Sequence, residues 1–157
     1  MANVFESDWD VEIPEPWSLR FARVGHQAGS ERLGATVYEV EPGGVVSPLH
    51  THFANEELVV ALSGPVTLRT PDGERLLEPG EVVACPVGRR GAHQLRNRGD
   101  QPARALVVSE TRTPEVAEHL DSGKVLVLEE TGGAEGPSIS AFRREDAVDR
   151  MADEPGG

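Results

Sequence analysis

The chain has 157 residues, 27 acidic against 15 basic, for a formal net charge of −12, with 17 glycines, 12 prolines and one cysteine. That length suits one domain able to bury a core without disulfide or metal staples. The summed negative field repels phosphate and so excludes general attraction to DNA, RNA or anionic lipid. No apolar run reaches the ~20 residues of a membrane span. The start, "MANVFESDWDVEIPEPW", lacks the basic residues and apolar run of a secretory leader, and a lone Cys85 cannot close an internal disulfide; a cytoplasmic protein is expected.

In chain order, residues 1–17 are acidic and proline-bearing, with Trp9 and Trp17 as the large apolar groups, and read as an arm lying on a surface. Short Val/Leu-rich runs then recur about every ten residues. They predict strands over 18–24, 33–41, 56–62, 65–70, 74–78, 81–87, 92–97, 103–110 and 124–130. Between them stand the turn signals "EPGG", "SGP", "TPDGE", "EPGE", "VGRRG" and "NRGDQP". No long 3.6-residue period interrupts them, which disfavours a parallel βαβ sheet and predicts an all-β antiparallel domain over residues 18–130. The run "EELVVAL" is apolar on both faces and needs cover on both, which predicts sheet-on-sheet packing and a homodimer. Residues 131–157 form a Gly-rich acidic tail, flexible at its end, with a short helix expected around 142–151.

The chemistry concentrates in "HTHFANEEL", residues 50–58. On a strand His50 and His52 share a face, a geometry that suits a metal and that a solvated histidine pair would share. Written with its flanking glycines, the stretch is G-x5-H-x-H-x4-E-x6-G, from Gly44 through His50, His52 and Glu57 to Gly64. A second cluster, "GEVVACPVGRRGAHQLRN", reads G-x5-P-x-G-x4-H-x3-N from Gly80 through Pro86, Gly88 and His93 to Asn97.

These two clusters, joined by "PVTLRTPDGERLLEP", resemble the two motifs of the cupin superfamily, over residues 34–110. The second departs from the family pattern in one place: four residues, "RRGA", stand between Gly88 and His93 where two are usual, lengthening that loop. The resemblance implies an antiparallel double-sheet, jelly-roll-like β-barrel of the small single-domain kind whose reaction is unassigned. It also implies one divalent first-row metal (Fe, Mn, Ni, Zn or Cu) held by His50, His52, Glu57 and His93. Glu56 has the opposite strand parity to Glu57 and is expected to face away.

The resemblance further implies a metal-dependent enzyme, dioxygenase-, isomerase- or decarboxylase-like, acting on a small organic substrate. A small-ligand binding or sensing module is the alternative, and a purely structural barrel has no need of four convergent ligands. A DNA-binding regulator is disfavoured, since residues 1–31 show neither helical period nor positive charge. No residue is assigned as catalytic. Cys85 reads as a small buried hydrophobe without a basic neighbour, and His26 and His119 as surface residues. Arg89 and Arg90 either hold a substrate carboxylate or lie on a solvated loop. Asn97 supports either the backbone or the hydrogen bonds behind the ligands.

Overall fold

A computed structural model describes residues 2–129 and 138–152. Thirteen strands run through these residues: β1 (Val11–Ile13), β2 (Leu19–Ala22), β3 (Leu33–Val40), β4 (His50–His52), β5 (Glu57–Ser63), β6 (Val66–Thr70), β7 (Gly73–Leu77), β8 (Val82–Cys85), β9 (Gln94–Asn97), β10 (Ala103–Glu110), β11 (Glu115–His119), β12 (Lys124–Leu128) and β13 (Ile139–Arg143). The helical content is one α-turn, α1 (Val24–Gln27), and 3-10 turns at Arg89–Gly91 and Arg144–Asp146.

A six-stranded antiparallel sheet has the order β1-β2-β3-β10-β5-β8. Two smaller sheets, β13-β12-β11-β4 and β7-β6-β9, meet where His50 and His93 bridge their backbones, N to O at 3.1 and 2.9 Å. The fold is therefore a double-sheet β-sandwich, and that seam carries two of the candidate ligands. β10 shows why the sequence folds this way: Ala103, Ala105 and Val107 alternate with Arg104, Leu106 and Val108. The first set joins the buried core with Val59, Ala61, Val66, Leu68, Leu77 and Leu95. Each fully buried Val or Leu there contributes about 1.5–3 kcal/mol. Ala61, Ala103 and Ala105 are small because two sheets close over them. At the β5–β6 turn Gly64 has φ of 72°, and a Cβ there would lie 2.3 Å from the Pro102 carbonyl oxygen, so only glycine lets the chain turn against the start of β10.

The outer face of the large sheet has a second core of Ala22, Val24 and Val37, covered by Ala2, Val4 and Trp9 of the N-terminal segment. Arg20 and Arg104 flank the buried Glu39 carboxylate, at 2.7 Å and 2.5 Å, and both guanidinium groups lie over the Trp9 ring. The arm residues also form β1, which pairs with β2.

Beyond the nine predicted ranges and the His50–His52 strand, three further strands are present. β1 and β11 are short and rich in acidic residues, and β13 lies in the Gly-rich tail. All three form by pairing with an edge already present, a non-local gain that a local apolar pattern does not display. The helix expected over 142–151 is absent: Phe142 and Arg143 belong to β13, with Phe142 opposite Val125, and one 3-10 turn follows. Edge pairing outcompetes a short helix that has little to pack against. The expected flexible end, at 153–157, and the Gly-rich stretch at 130–137 lie outside the described residues.

Candidate metal centre

Strand alternation sends His50 and His52 of β4 to the interior face and buries Thr51 between them, where its hydroxyl donates to the Gly88 carbonyl at 2.6 Å. Glu57 opens β5 facing inward, while Glu56 is exposed. Ligand atoms of His50, His52 and Glu57 lie within 4.8 Å of one another. His93, just before β9, joins them through Glu57, its Nε2 3.0 Å from Oε2. His52 Nε2 is 3.5 Å from the same oxygen. One carboxylate oxygen is thus shared by two imidazoles, and the longer "RRGA" loop leaves His93 aimed at the cluster.

The ring nitrogens on the far side are held. His50 Nδ1 donates to the Pro48 carbonyl at 3.0 Å, with Ser47 Oγ at 3.1 Å, and His93 Nδ1 donates to the Gly91 carbonyl at 3.0 Å. A carbonyl oxygen only accepts, so Nδ1 carries the proton in both rings and Nε2 is the atom presented to the centre. Both His52 nitrogens are buried without a hydrogen-bond partner, a cost that a bound cation would relieve. His50, His52 and Glu57 form a group that could hold a divalent first-row metal, and His93 presents its Nε2 to the same carboxylate oxygen.

Electrostatics in the metal-free arrangement follow from burial and the shared carboxylate. Burial, then the neighbouring His93 and His52, push His50 down to about 4. Burial pulls His93 in the same direction, but contacts with the Cys85 thiol and Glu57 outweigh it and raise the ring to about 10. Glu57 would be raised by burial, yet the His93 hydrogen bond and the charges of three imidazoles hold it below the usual carboxylate range. Without a metal, a proton on His93 Nε2 occupies the place where a cation would neutralise Glu57.

Residues 36–109 match the family model for the cupin domain. Among solved structures, a sugar phosphate isomerase of the cupin superfamily from Silicibacter pomeroyi is 26% identical, with 94% of each chain covered and a TM-score of 0.77. A Thermus thermophilus protein is 30% identical over 64% of this chain and 97% of its own, with a TM-score of 0.52. The chain is a cupin-domain protein. A polyketide cyclase from Streptomyces resistomycificus is also similar, 25% identical over 73% of this cupin and 82% of that chain, with a TM-score of 0.59. No curated protein matches the chain.

Several residues of this cupin stand elsewhere than their local sequence suggests. His119 is half-buried, not a surface residue: β11 pairs with β4 so that His119 lies opposite His50, ring centroids 6.4 Å apart. Burial, Lys124 and His52 lower it. Cys85 is buried but does have a basic neighbour, since it lies cross-strand from Glu57 with its thiol against His93. Arg89 does not reach into the site; with Arg144 it binds one oxygen of the buried Glu118, at 3.0 and 3.1 Å, tying the "RRGA" loop to the C-terminal segment. Arg90 is exposed. Asn97 binds the Val40 and Gln101 carbonyls at 2.9 and 2.7 Å and the Gly99 N–H at 2.9 Å, so its role is backbone support, with no ligand among its partners.

Sequence reasoning missed the floor of the site. Cross-strand pairing places Ser109 beside Glu57 and Gly34 beside Ser109, and further along the same face lie Thr36 and Tyr38. Burial, then the charge of Glu57, raises the Tyr38 hydroxyl to about 12. The signal for these residues is the β3–β10–β5 register, which no local pattern contains.

Proposed function

We propose that this cupin is a divalent-metal-dependent enzyme on a small organic substrate, with His50, His52, Glu57 and His93 as ligands and a reaction of the isomerase type on a hydroxy-carbonyl compound. The observation that carries the reading is the set of imidazoles whose Nδ1 protons are turned outward to acceptors, leaving Nε2 around a single carboxylate. A bound first-row ion supplies Lewis acidity that polarises a coordinated carbonyl or hydroxyl. The raised Tyr38 keeps its phenolic proton at neutral pH and can donate to a substrate oxygen. The half-buried His119, beside His50, is placed to accept and return a proton at the site's edge. Isomerase chemistry is preferred over dioxygenase or decarboxylase chemistry because the solved structure matching 94% of each chain is named a sugar phosphate isomerase.

The test is elemental analysis of protein purified without added metal, followed by incubation with sugars and sugar phosphates in deuterated water. Metal-dependent deuterium uptake next to the carbonyl, lost in His50→Ala, supports the reading. Oxygen consumption would replace it with a dioxygenase, and saturable ligand binding without turnover would replace it with a binding module.

The proposal includes a cytoplasmic homodimer. Among the described residues no helix is long and apolar enough to cross a membrane. The outer face of β5 and β8 leaves Leu58 41% and Val82 60% exposed, with Val60 opposite Val82. Sedimentation showing only monomer at micromolar concentration would remove the dimer from the proposal.

A further inference from the structure

His52 differs from the other two imidazoles in what stands behind it. His50 and His93 give their Nδ1 protons to backbone carbonyls, whereas His52 Nδ1 faces a carboxylate, Glu115 Oε1, at 3.5 Å. Glu115 is 2% exposed, on the interior face of β11, two residues before the Ala117 that pairs with His52. Its Oε1 accepts from the N–H groups of Phe53 and Ala54 at 3.0 and 3.4 Å, and its Oε2 accepts from Asn55 Nδ2. Asn55 is itself fixed: its Oδ1 accepts from the Arg112 N–H at 2.7 Å and its Nδ2 donates to the Arg112 carbonyl at 3.0 Å. The carboxylate is therefore clamped to the loop that joins the two ligand-bearing strands β4 and β5. Among the described residues, its ion-pair partner is His52, and no lysine or arginine neutralises it. A buried carboxylate without a cationic partner is costly. An imidazole made more positive by a metal on its opposite nitrogen offsets that cost.

We propose that Glu115 is a positioning residue that holds His52 in the Nδ1–H form, turns its Nε2 towards Glu57 and strengthens it as a donor to the metal. The proposal rests on the metal-binding reading of the site. It makes His52 the one ligand backed by a carboxylate, an arrangement that orients a ring and raises its basicity. The 3.5 Å separation is a few tenths of an ångström beyond an ordinary N–H···O contact.

The test compares Glu115→Gln with Asn55→Ala, using Ni2+ alone as the probe in competition titrations. Asn55→Ala removes the Oε2 hydrogen bond and loosens the same loop, but keeps a carboxylate behind His52. Glu115→Gln should lose roughly ten- to a hundredfold in Ni2+ affinity, and Asn55→Ala, which keeps the negative charge behind His52, should lose clearly less than Glu115→Gln. Equal losses in both, following lost unfolding stability, would reduce Glu115 to a loop anchor and overturn the proposal. Nitrogen NMR of the metal-free proteins gives a second readout: His52 should be the Nδ1–H tautomer in the unmodified chain and shift towards Nε2–H in Glu115→Gln, with His50 unmoved. An unmoved His52 overturns the proposal. If Glu115→Gln does not fold, the unmodified protein still decides, since an Nε2–H tautomer at His52 overturns it. If the unmodified protein binds no Ni2+ while His52 behaves as stated, the metal reading falls and the positioning contact stands.

Discussion

Metal loading at pH 8 should expel one proton, and that proton should come from His93. The ring is raised to about 10, so two pH units below that value it is about 99% protonated. His50, pushed down to about 4, is already neutral, and Glu57, held below the carboxylate range, is already ionised. A metal taking Nε2 of His93 must displace its proton, so apparent affinity should climb about tenfold per pH unit between pH 8 and 9 and flatten above about 10. The assay is isothermal titration with Ni2+, whose own bound water is a weak acid, in buffers of different ionisation enthalpy; the slope of observed heat against buffer enthalpy counts protons. Cys85→Ala, which removes a contact that raises His93 while leaving the four ligands unsubstituted, should move the pH at which affinity flattens downward. A count of zero in the unmodified protein, or an affinity flat from pH 7 to 9, would refute the charge assignment. So would an unmoved flattening point in Cys85→Ala.

The metal-free fold should be most stable near pH 6.5. His50, lowered by burial, contributes stability that is complete above the ordinary imidazole value and lost as pH falls towards about 4; His93, raised, contributes stability that is complete below that value and lost as pH rises towards about 10. Denaturant titrations should show a decline on both sides approaching about 1.4 kcal/mol per pH unit, and a monotonic profile would refute it. Glu57→Ala should lose metal retention at least tenfold while Glu56→Ala leaves it unchanged, by competition titration; the reverse order would mean that the strand register is wrong by one residue. Gly91→Ala should weaken metal retention ten- to a hundredfold, because an added Cβ would sit 1.7 Å from the Pro86 carbonyl oxygen and displace the Gly91 carbonyl that holds His93 Nδ1. Retention equal to the unmodified protein would show that the loop adapts.

What the sequence by itself determined is what depends on neighbours along the chain. Turn residues at about ten-residue intervals and the two-residue alternation of a strand specify an antiparallel fold, with His50 and His52 on one side of Thr51 and Glu57 opposed to Glu56. His93 joined them only through the resemblance of the two motifs to the cupin pattern, and each motif is legible because it is a local strand–turn unit. The tertiary structure decided whatever depends on which strand pairs with which. Register between β11 and β4 carried His119 to the side of His50 and Glu115 behind His52, from a segment that the local pattern assigned to no strand. Register between β3, β10 and β5 put Tyr38 and Ser109 on the floor beside Glu57. Arg89, in a loop that reads equally as a substrate clamp, turned outward because the buried Glu118, 29 residues further along, offered it an ion pair that Arg144 shares. Pairing energy is shared between distant segments, and no window of sequence holds both partners.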